Sequence, residues 1–456
     1  MPATALRPEI LAICRAVRDA GGRALFVGGW VRDRLRGLDA KDVDVEVFGL
    51  ELARLAELLA RFGPVIEIGR AFGVLRIKGL DVDFSLPRRD SKVGAGHRGF
   101  DVDCDPRLDF ATAARRRDLT INSISFDPLT EEVIDPHGGR RDLERGLLRA
   151  TDPLHFPEDP LRGVRVAQFA ARFEMQPDAE LVELCSRLDL SELPGERLFE
   201  ELRKLLLKGA RPSIGLAFLE RTRLLRFLPQ LDALRGVPQD PVWHPEGDVW
   251  VHTLMVVDEA ARLRSDGDLD LALMFGALCH DLGKPLTTSV QDGRVVSPAH
   301  DVEGDAPTRA LLERLRAPGS LVERVVAHVR HHLAPALLDK QNSGPKAYRR
   351  LARRLEAAGL SMAELERVAR ADHLGRTTEE ALARRFPAGD AFLARAAQLA
   401  VTEHAQPDAV QGRHLIARGL RPGPEFGRIL ARCRDLQDET GWDDPQRLLD
   451  AVMEEG

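Results

Sequence analysis

The sequence predicts an α+β head, a mixed β-sheet with helices, followed by an elongated all-α neck and body. Three observations carry that prediction. Short β-prone runs crowd the first 135 residues, at 25–27, 43–48, 65–68, 74–77, 82–85 and 123–127, and mix with helical stretches at 31–36 and 51–62. From residue 159 onward strand patterns nearly vanish, and helix follows helix with breaks at Pro194-Gly195 and Pro422-Gly423-Pro424. A length of 456 residues exceeds one ordinary core, and about 150 residues per domain suggests roughly three domains.

At the N-terminal end, Leu6, Ile10, Ile13 and Val17 recur at helical spacing with Arg7, Glu9, Arg15 and Asp19 among them, which fits an amphipathic helix and not a signal peptide. Residues 91–106, SKVGAGHRGFDVDCDP, are polar and Gly-rich and read as a mobile loop. The longest nearly unbroken apolar stretch, 271–279, has nine residues, about half a bilayer span, so a transmembrane helix is excluded. Five scattered cysteines without a CxxC pair point to a reducing cytoplasm and away from disulfides or a cysteine zinc site. A 5% aromatic content with one tyrosine, Tyr348, argues against an aromatic cage for single strands.

Net charge is −6, but the last 22 residues hold eight acids and one base, so residues 1–434 sum to +1. Basic clusters at 115–117 and at Lys346, Arg349, Arg350, Arg353 and Arg354 permit a polyanionic partner without demanding one. A solvated helix face is the alternative for the second cluster.

The segment 41–49, KDVDVEVFG, alternates strictly, so on a strand Asp42, Asp44 and Glu46 share one face and three valines the other. A row of like charges opposes strand formation unless cations sit among them. Carboxylates two residues apart on a strand suit a Mg²⁺ pair for phosphoryl transfer, and Asp83 in the run VDFS is a candidate further ligand. Solvated acids on an edge strand are the plain alternative, and the preceding segment weighs against it. In 25–35, LFVGGWVRDRL, an apolar strand runs through Gly28-Gly29 into an amphipathic helix with Arg32 and Asp33 on its first turns. Two glycines let a ligand approach the backbone, and a helix start offers free N–H groups to an anion.

Gly28-Gly29-x-Val31-Arg32-Asp33 followed by Lys41-Asp42-x-Asp44 resembles the head of the class II tRNA nucleotidyltransferase and bacterial poly(A) polymerase family. Further blocks follow in the family's order. Arg116-Arg117-Asp118-Leu119-Thr120-Ile121-Asn122 resembles its RRDxTIN motif. Ile134-Asp135-Pro136 with Gly138-Gly139 and Asp142-Leu143 resembles the block linking head to neck. Glu158-Asp159-Pro160-Leu161-Arg162, then Arg165, resembles EDxxR, and Glu196-Arg197 with Glu200-Glu201-Leu202 resembles the helical block after it. The likeness covers about residues 20–210.

The residues have their own chemistry in these blocks. Arg116 and Arg117 are bidentate phosphate donors, and Asp118 and Asn122, four apart, can share a helical face. Asp159 and Arg162, three apart, would be neighbours on a helix and offer acceptors and donors to a Watson–Crick edge. Ordinary ion pairing and a solvated arginine cluster are the alternatives. The resemblance implies Mg²⁺ at Asp42 and Asp44, ribose and triphosphate at the RRDxTIN residues, and selection of CTP and ATP by Asp159 and Arg162 without a nucleic-acid template. There are two departures. Gln168 stands where the family often has arginine, and Gly69-Arg70-Ala71-Phe72 has one basic residue where poly(A) polymerases tend to carry two, which tilts the reading toward CCA addition.

Eight of the 13 histidines lie between His244 and His373. His252 falls on one amphipathic helix, His280-Asp281 ends another, His300 precedes a glycine-acid turn, His331-His332 end a helix, and Asp372 begins Asp-His-Leu-Gly-Arg. Imidazoles and carboxylates together are a ligand set for a divalent transition metal, or Mg²⁺, and an open position on such an ion can activate water. The ordered set His252, His280, Asp281 and Asp372 resembles the HD phosphohydrolase superfamily over about residues 240–385, with His300, His331 and His332 as candidate additional ligands. In bacterial CCA-adding enzymes that carry such a domain, the resemblance implies phosphatase, 2′-nucleotidase and 2′,3′-cyclic phosphodiesterase activities.

The expected organisation is a nucleotidyltransferase head over 1–150, a helical neck and body for base selection and RNA binding over 151–235, an all-α HD domain over 236–385, and a C-terminal helical region with an acidic tail over 386–456. The expected partners are tRNA, ATP and CTP in the cytoplasm, with no membrane. Poly(A), CC-only or A-only addition, a head that merely grips RNA for the HD hydrolase, and a structural RNA-binding module remain the rivals at this point.

Overall fold

The structure, a computed structural model, describes residues 7–39, 43–68, 73–92 and 100–454. The chain forms two compact units, Met1–Glu201 with Ile214–Phe227, and Leu202–Ser213 with Leu228–Gly456. Among the described residues no helix is long and apolar enough to cross a membrane.

The first unit begins with α1 (Pro8–Asp19), β1 (Arg23–Val27), α2 (Gly29–Leu35), β2 (Val43–Phe48), α3 (Leu52–Leu59), β3 (Val65–Glu67), β4 (Val74–Ile77) and β5 (Val82–Ser85). There follow β6 (Arg88–Lys92), β7 (Phe100–Cys104), α4 (Phe110–Arg115), β8 (Ser125–Phe126), β9 (Val133–Ile134) and α5 (Gly139–Arg145). Seven strands form one mixed sheet in the order β3-β4-β5-β2-β1-β8-β9; β2 and β5 run parallel and the other neighbours antiparallel. Val43, Val45 and Val47 join Phe26 and the apolar sides of α1 and α3 in one core, while Leu25, Val27 and Phe48 pack on the other face with Leu108 and Ala113. Each such burial is worth about 1.5–3 kcal/mol, more than the ~1 kcal/mol span of strand propensity, so the valines hold a strand that the acids between them oppose. Asp44 and Glu46 accordingly fall on the second face.

Part of the loop expected over 91–106 is instead a hairpin, in which Arg88–Lys92 pairs antiparallel with Phe100–Cys104. Phe100, Val102 and Cys104 alternate with acids, a period-2 pattern that polar composition masks. After the head, β10 (Leu147–Leu148) pairs with β11 (Gln176–Pro177) around α6 (Leu161–Phe173), and α7 (Ala179–Ser186), α8 (Gly195–Lys208) and α9 (Pro212–Arg221) follow. Asp159 does not share the α6 face with Arg162, a correction to the helical spacing. It is extended (φ −113°, ψ 100°) ahead of the helix, because a residue before proline is driven out of the helical region and Pro160 caps α6.

The second unit is helical apart from one small hairpin, β12 (Ser289–Gln291) with β13 (Arg294–Val296). Its helices begin with α10 (Pro229–Asp232), α11 (Val249–Arg262), α12 (Asp270–Cys279), α13 (Lys284–Thr287), α14 (His300–Glu303), α15 (Asp305–Arg314) and α16 (Gly319–His331). They continue with α17 (Ala334–Lys340), α18 (Pro345–Ala357), α19 (Met362–Leu374), α20 (Glu379–Leu382), α21 (Pro387–Gln398), α22 (Gly412–Ala417), α23 (Pro424–Thr440) and α24 (Pro445–Glu454). Helix α12 is buried from Ala272 to Cys279 among α11, α16 and α19, which is why it reads as an unbroken apolar run. The basic run on α18 faces the acidic tail. Lys346 pairs with Glu439 (2.9 Å), Arg350 with Asp435 (2.5 Å) and Arg353 with Asp438 (2.9 Å) on α23.

Candidate functional sites

Strand register assembles the first site. Val27 pairs with Asp44 across β1 and β2, and Asp44 with Asp83 across β2 and β5. The Gly28-Gly29 turn after Val27 therefore opens beside both acids. Gly28 has φ +70°, a region glycine enters without strain, and a Cβ there would lie 2.9 Å from Arg117 Nη1. Asp44 is exposed. Asp83 is partly buried and accepts from Arg76 Nε at 2.7 Å. Asp42 lies outside the described residues. Glu46 is buried and paired with Arg116 (Nη2–Oε1 2.7 Å), which explains how a third acid is tolerated on this strand. Arg117 makes no ion pair among the described residues, and burial together with Arg116 works against its charge, so an anion at this turn would relieve it.

Behind the turn lies a buried polar network. Asp118 accepts from Leu119 N (2.8 Å), Asn122 Nδ2 (2.8 Å) and Arg165 Nε (2.7 Å). Burial opposes its charge, yet Arg165 and these hydrogen bonds bring its carboxyl down to about 2. Asp118 and Asn122 straddle the 3₁₀ turn Thr120–Asn122 and do not share an α-helical face, which corrects the spacing argument. Asn122 Oδ1 accepts from Arg32 Nη1 (2.6 Å), Arg32 Nε donates to Asp33 (2.7 Å), and Arg172 donates to Asp33 (3.0 Å). Arg32 also lies over the rings of Phe169 and Phe173, 5.0 and 4.8 Å from their centroids. The predicted nucleotide contacts Arg32, Asp33, Asp118, Asn122 and Arg165 thus bind one another and tie α2 to α6.

Asp159 Oδ2 accepts from Arg197 Nη2 (2.9 Å), and Arg162 donates to the carbonyls of His155 (2.9 Å) and Arg116 (2.6 Å). Arg162 thereby couples the EDxxR segment to the RRD block. Arg197 is a partner that spacing alone does not reveal.

In the second unit the histidine cluster closes on Asp281. His280 Nε2 lies 3.1 Å from Asp281 Oδ2, His300 Nε2 3.4 Å from Oδ1, and His252 Nε2 4.0 Å from Oδ2. His300 and His332 meet through their Nε2 atoms at 3.3 Å, and His252 Nε2 lies 3.1 Å from Asp372 Oδ1. Gly283 makes the turn possible, since a Cβ there would sit 2.0 Å from the carbonyl oxygen of His300. His331 joins none of the convergent groups among the described residues; adjacent helical residues do not face the same way, and His332 takes the position.

The centre is buried, and its charges are held by cations that the sequence does not single out as such. Burial opposes charge on Asp281, but His280 and Lys284 (Nζ 2.7 Å) keep it well below the usual carboxylate range. Arg376 does the same for Asp372 through contacts of 3.1 and 3.0 Å. Burial pushes His332 down to about 3, a neutral imidazole. His280 Nε2 and both Asp281 oxygens are buried without a hydrogen bond of normal geometry. Buried polar atoms are rarely left so, and imidazoles beside an ionised carboxylate fit a divalent cation. Glu246, which the sequence gives no ligand role, sits against His252 and His244 (2.8 and 2.9 Å).

Comparison with known proteins then decides the family. The "Poly A polymerase head domain" profile matches residues 24–149, "Probable RNA and SrmB- binding site of polymerase A" matches 179–234, and "HD domain" matches 249–376. The chain is 40% identical over 421 residues to the multifunctional CCA protein of Xanthomonas campestris pv. campestris (strain B100), covering 90% of this chain and 96% of that one. The chain belongs to the multifunctional CCA protein family. That makes it a nucleotidyltransferase of tRNA processing with an HD domain attached. A second family relative, from Xylella fastidiosa (strain M23), is 36% identical over 428 residues, covering 90% and 95% of the two chains. The fold is that of CCA-adding enzymes. The Bacillus stearothermophilus enzyme in complex with CTP aligns with TM-score 0.68 at 22% identity over 99% of this chain and 98% of that one. The Thermotoga maritima enzyme complexed with tRNA aligns with TM-score 0.61 at 19% identity over 99% and 96%. The residues singled out in the head, Gly28 to Asn122, fall inside the first profile match, whereas Asp159 and Arg162 fall between the first two.

Proposed function

We propose that the head adds C, C and A in turn to the 3′ end of tRNA from CTP and ATP without a template, and that the HD domain hydrolyses phosphoesters at RNA ends in the cytoplasm. The observation that carries the first half is the register Val27–Asp44–Asp83, which sets two acids beside a glycine turn whose Gly28 abuts Arg117. Asp42 and Asp44, with Asp83 nearby, would hold divalent ions, which supply a lowered pKa for the RNA 3′-hydroxyl and charge neutralisation on the triphosphate. The 3′-oxygen attacks the α-phosphate in line and pyrophosphate leaves. The Gly28 turn lets triphosphate oxygens reach backbone, and Arg117 meets their charge. Asp159 and Arg162 offer acceptors and donors to the base edge. Arg162 is already anchored on the Arg116 carbonyl, so its guanidinium is presented at low entropic cost.

His252, His280, Asp281 and Asp372 would hold a divalent ion in the HD domain, with His300 and His332 on the far side of Asp281. A bound ion there supplies an activated water. Lys284 and Arg376 keep the two carboxylates ionised, and substrate classes expected at the site are phosphomonoesters, 2′-nucleotides and 2′,3′-cyclic phosphates.

Incubating a tRNA that lacks its 3′ end with labelled CTP and ATP, then sizing the products, tests the reading. Addition that stops after C, C and A is expected. A long A tail overturns it, and so does failure to incorporate either nucleotide.

A further inference from the structure

Three of the four imidazoles around Asp281 are fixed in one way. Nδ1 of His280, His300 and His332 lies 2.8, 2.8 and 2.6 Å from the carbonyl oxygens of Ala277, Ser297 and Val329, each three residues earlier. A carbonyl only accepts, so in the neutral ring Nδ1 carries the proton and the Nε2 lone pair faces Asp281. His252 differs. Its Nδ1 lies 2.8 Å from Glu246 Oε1, close but off the line of an ordinary hydrogen bond, and its Nε2 faces Asp372 Oδ1 at 3.1 Å, so a carboxylate stands at each end of the ring. A neutral His252 can give its proton to either, and only the Nδ1–H form has an Nε2 lone pair for a metal ion.

Glu246 is built to take that proton. Its carboxylate is covered from solvent, its Oε1 accepts from His244 Nδ1 (2.9 Å), and its Oε2 accepts from Thr377 N (3.1 Å), one residue beyond the Arg376 that grips Asp372. With these donors on both oxygens it is held in place.

We propose that Glu246 is a positioning residue of the HD centre: by accepting the Nδ1 proton of His252 it selects the tautomer whose Nε2 lone pair ligates a divalent cation. The inference rests on the HD reading above. It is tested on the full chain with Glu246→Gln, whose amide oxygen still accepts from Thr377 N but carries no charge. Metal-free wild type and variant are titrated with Co²⁺ by calorimetry and visible absorption, with phosphatase activity and CCA addition read in parallel. The Co²⁺ affinity of E246Q is expected to fall about 10–100-fold, phosphatase activity to recover at higher metal, and CCA addition to be unchanged. Equal affinity and an unchanged spectrum overturn the proposal while leaving the HD reading standing; a wild type that binds no Co²⁺ overturns both. Should E246Q fold poorly, the ring-¹⁵N signals of His252 in metal-free wild type decide. An Nδ1–H form is expected, and an Nε2–H form overturns the proposal.

Discussion

The two centres of this chain solve the problem of holding acids together in opposite ways. In the head, Asp44 stands exposed on a strand and Asp83 shares its charge with Arg76, while Glu46, one step further along the same face, is buried against Arg116. In the HD domain, Asp281 and Asp372 are buried among imidazoles and are kept charged by Lys284 and Arg376. An exposed carboxylate such as Asp44 tolerates its neighbours' repulsion through solvent. A buried row must be neutralised by the protein itself, and so the second centre carries its cations with it. The difference teaches where mutation should separate function from stability: cleanly in the exposed site, less so in the buried one.

The largest expected effect is at the buried centre. Asp281→Ala removes the carboxylate on which His280 and His300 converge, and phosphatase turnover should fall by about 10²–10³-fold or more, while tRNA extension by the same preparation stays near wild type. Loss of both activities would mean that the two centres are not separable.

Next comes Asp118→Ala, which strips Arg165 and Asn122 of a shared acceptor. Breaking a buried pair costs about 3–5 kcal/mol; Arg165 keeps some access to solvent, so about 3 kcal/mol in denaturant unfolding is expected. The pH dependence has a definite sign. The Asp118 carboxyl lies at about 2 in the folded chain and near 3.9 in an unfolded one. Its contribution is therefore present above pH 4 and lost as pH falls toward 2. Acid titration of wild type against Asp118→Asn should show that fraction missing in the variant.

Gly28→Ala is a smaller perturbation. It forces an L-residue to φ +70° with a Cβ against Arg117, at a cost of about 1–2 kcal/mol. KM for CTP and ATP should rise together, with the HD reaction untouched. The smallest effect belongs to Lys346→Ala. Its pair with Glu439 is largely exposed and worth less than about 1 kcal/mol, so melting temperature and the KM for tRNA should stay within error. A sharp rise in that KM would show that the basic face of α18 meets RNA in spite of its acidic cover.

What was legible in the sequence follows from these physics. Strands 74–77 and 82–85 can be read to the residue because alternate burial writes a period of two into the chain, and 43–48 because its valines alternate with acids. The pairing of Arg88–Lys92 with Phe100–Cys104 cannot, since acids and other polar residues hide the alternation. Spacing identifies Asp44 and Asp83 as candidates, but only strand register brings them side by side. Helical spacing misleads at Asp159 because one proline decides the local backbone. The candidate HD ligands stand out because histidines are uncommon in such density, whereas Glu246, Lys284 and Arg376 are ordinary residue types that matter only through what the fold sets against them. Arg32 shows the reverse case, a motif arginine whose donors the structure gives to Asn122 and Asp33.

The central claim, that nucleotide addition depends on the acids of β2 and on nothing in the HD centre, is tested most directly by Asp44→Asn. With a tRNA lacking CCA as substrate, labelled-nucleotide incorporation should drop by at least about 10²–10³-fold, while far-UV signal, melting temperature and phosphatase activity match wild type. Incorporation within a few-fold of wild type would contradict the account.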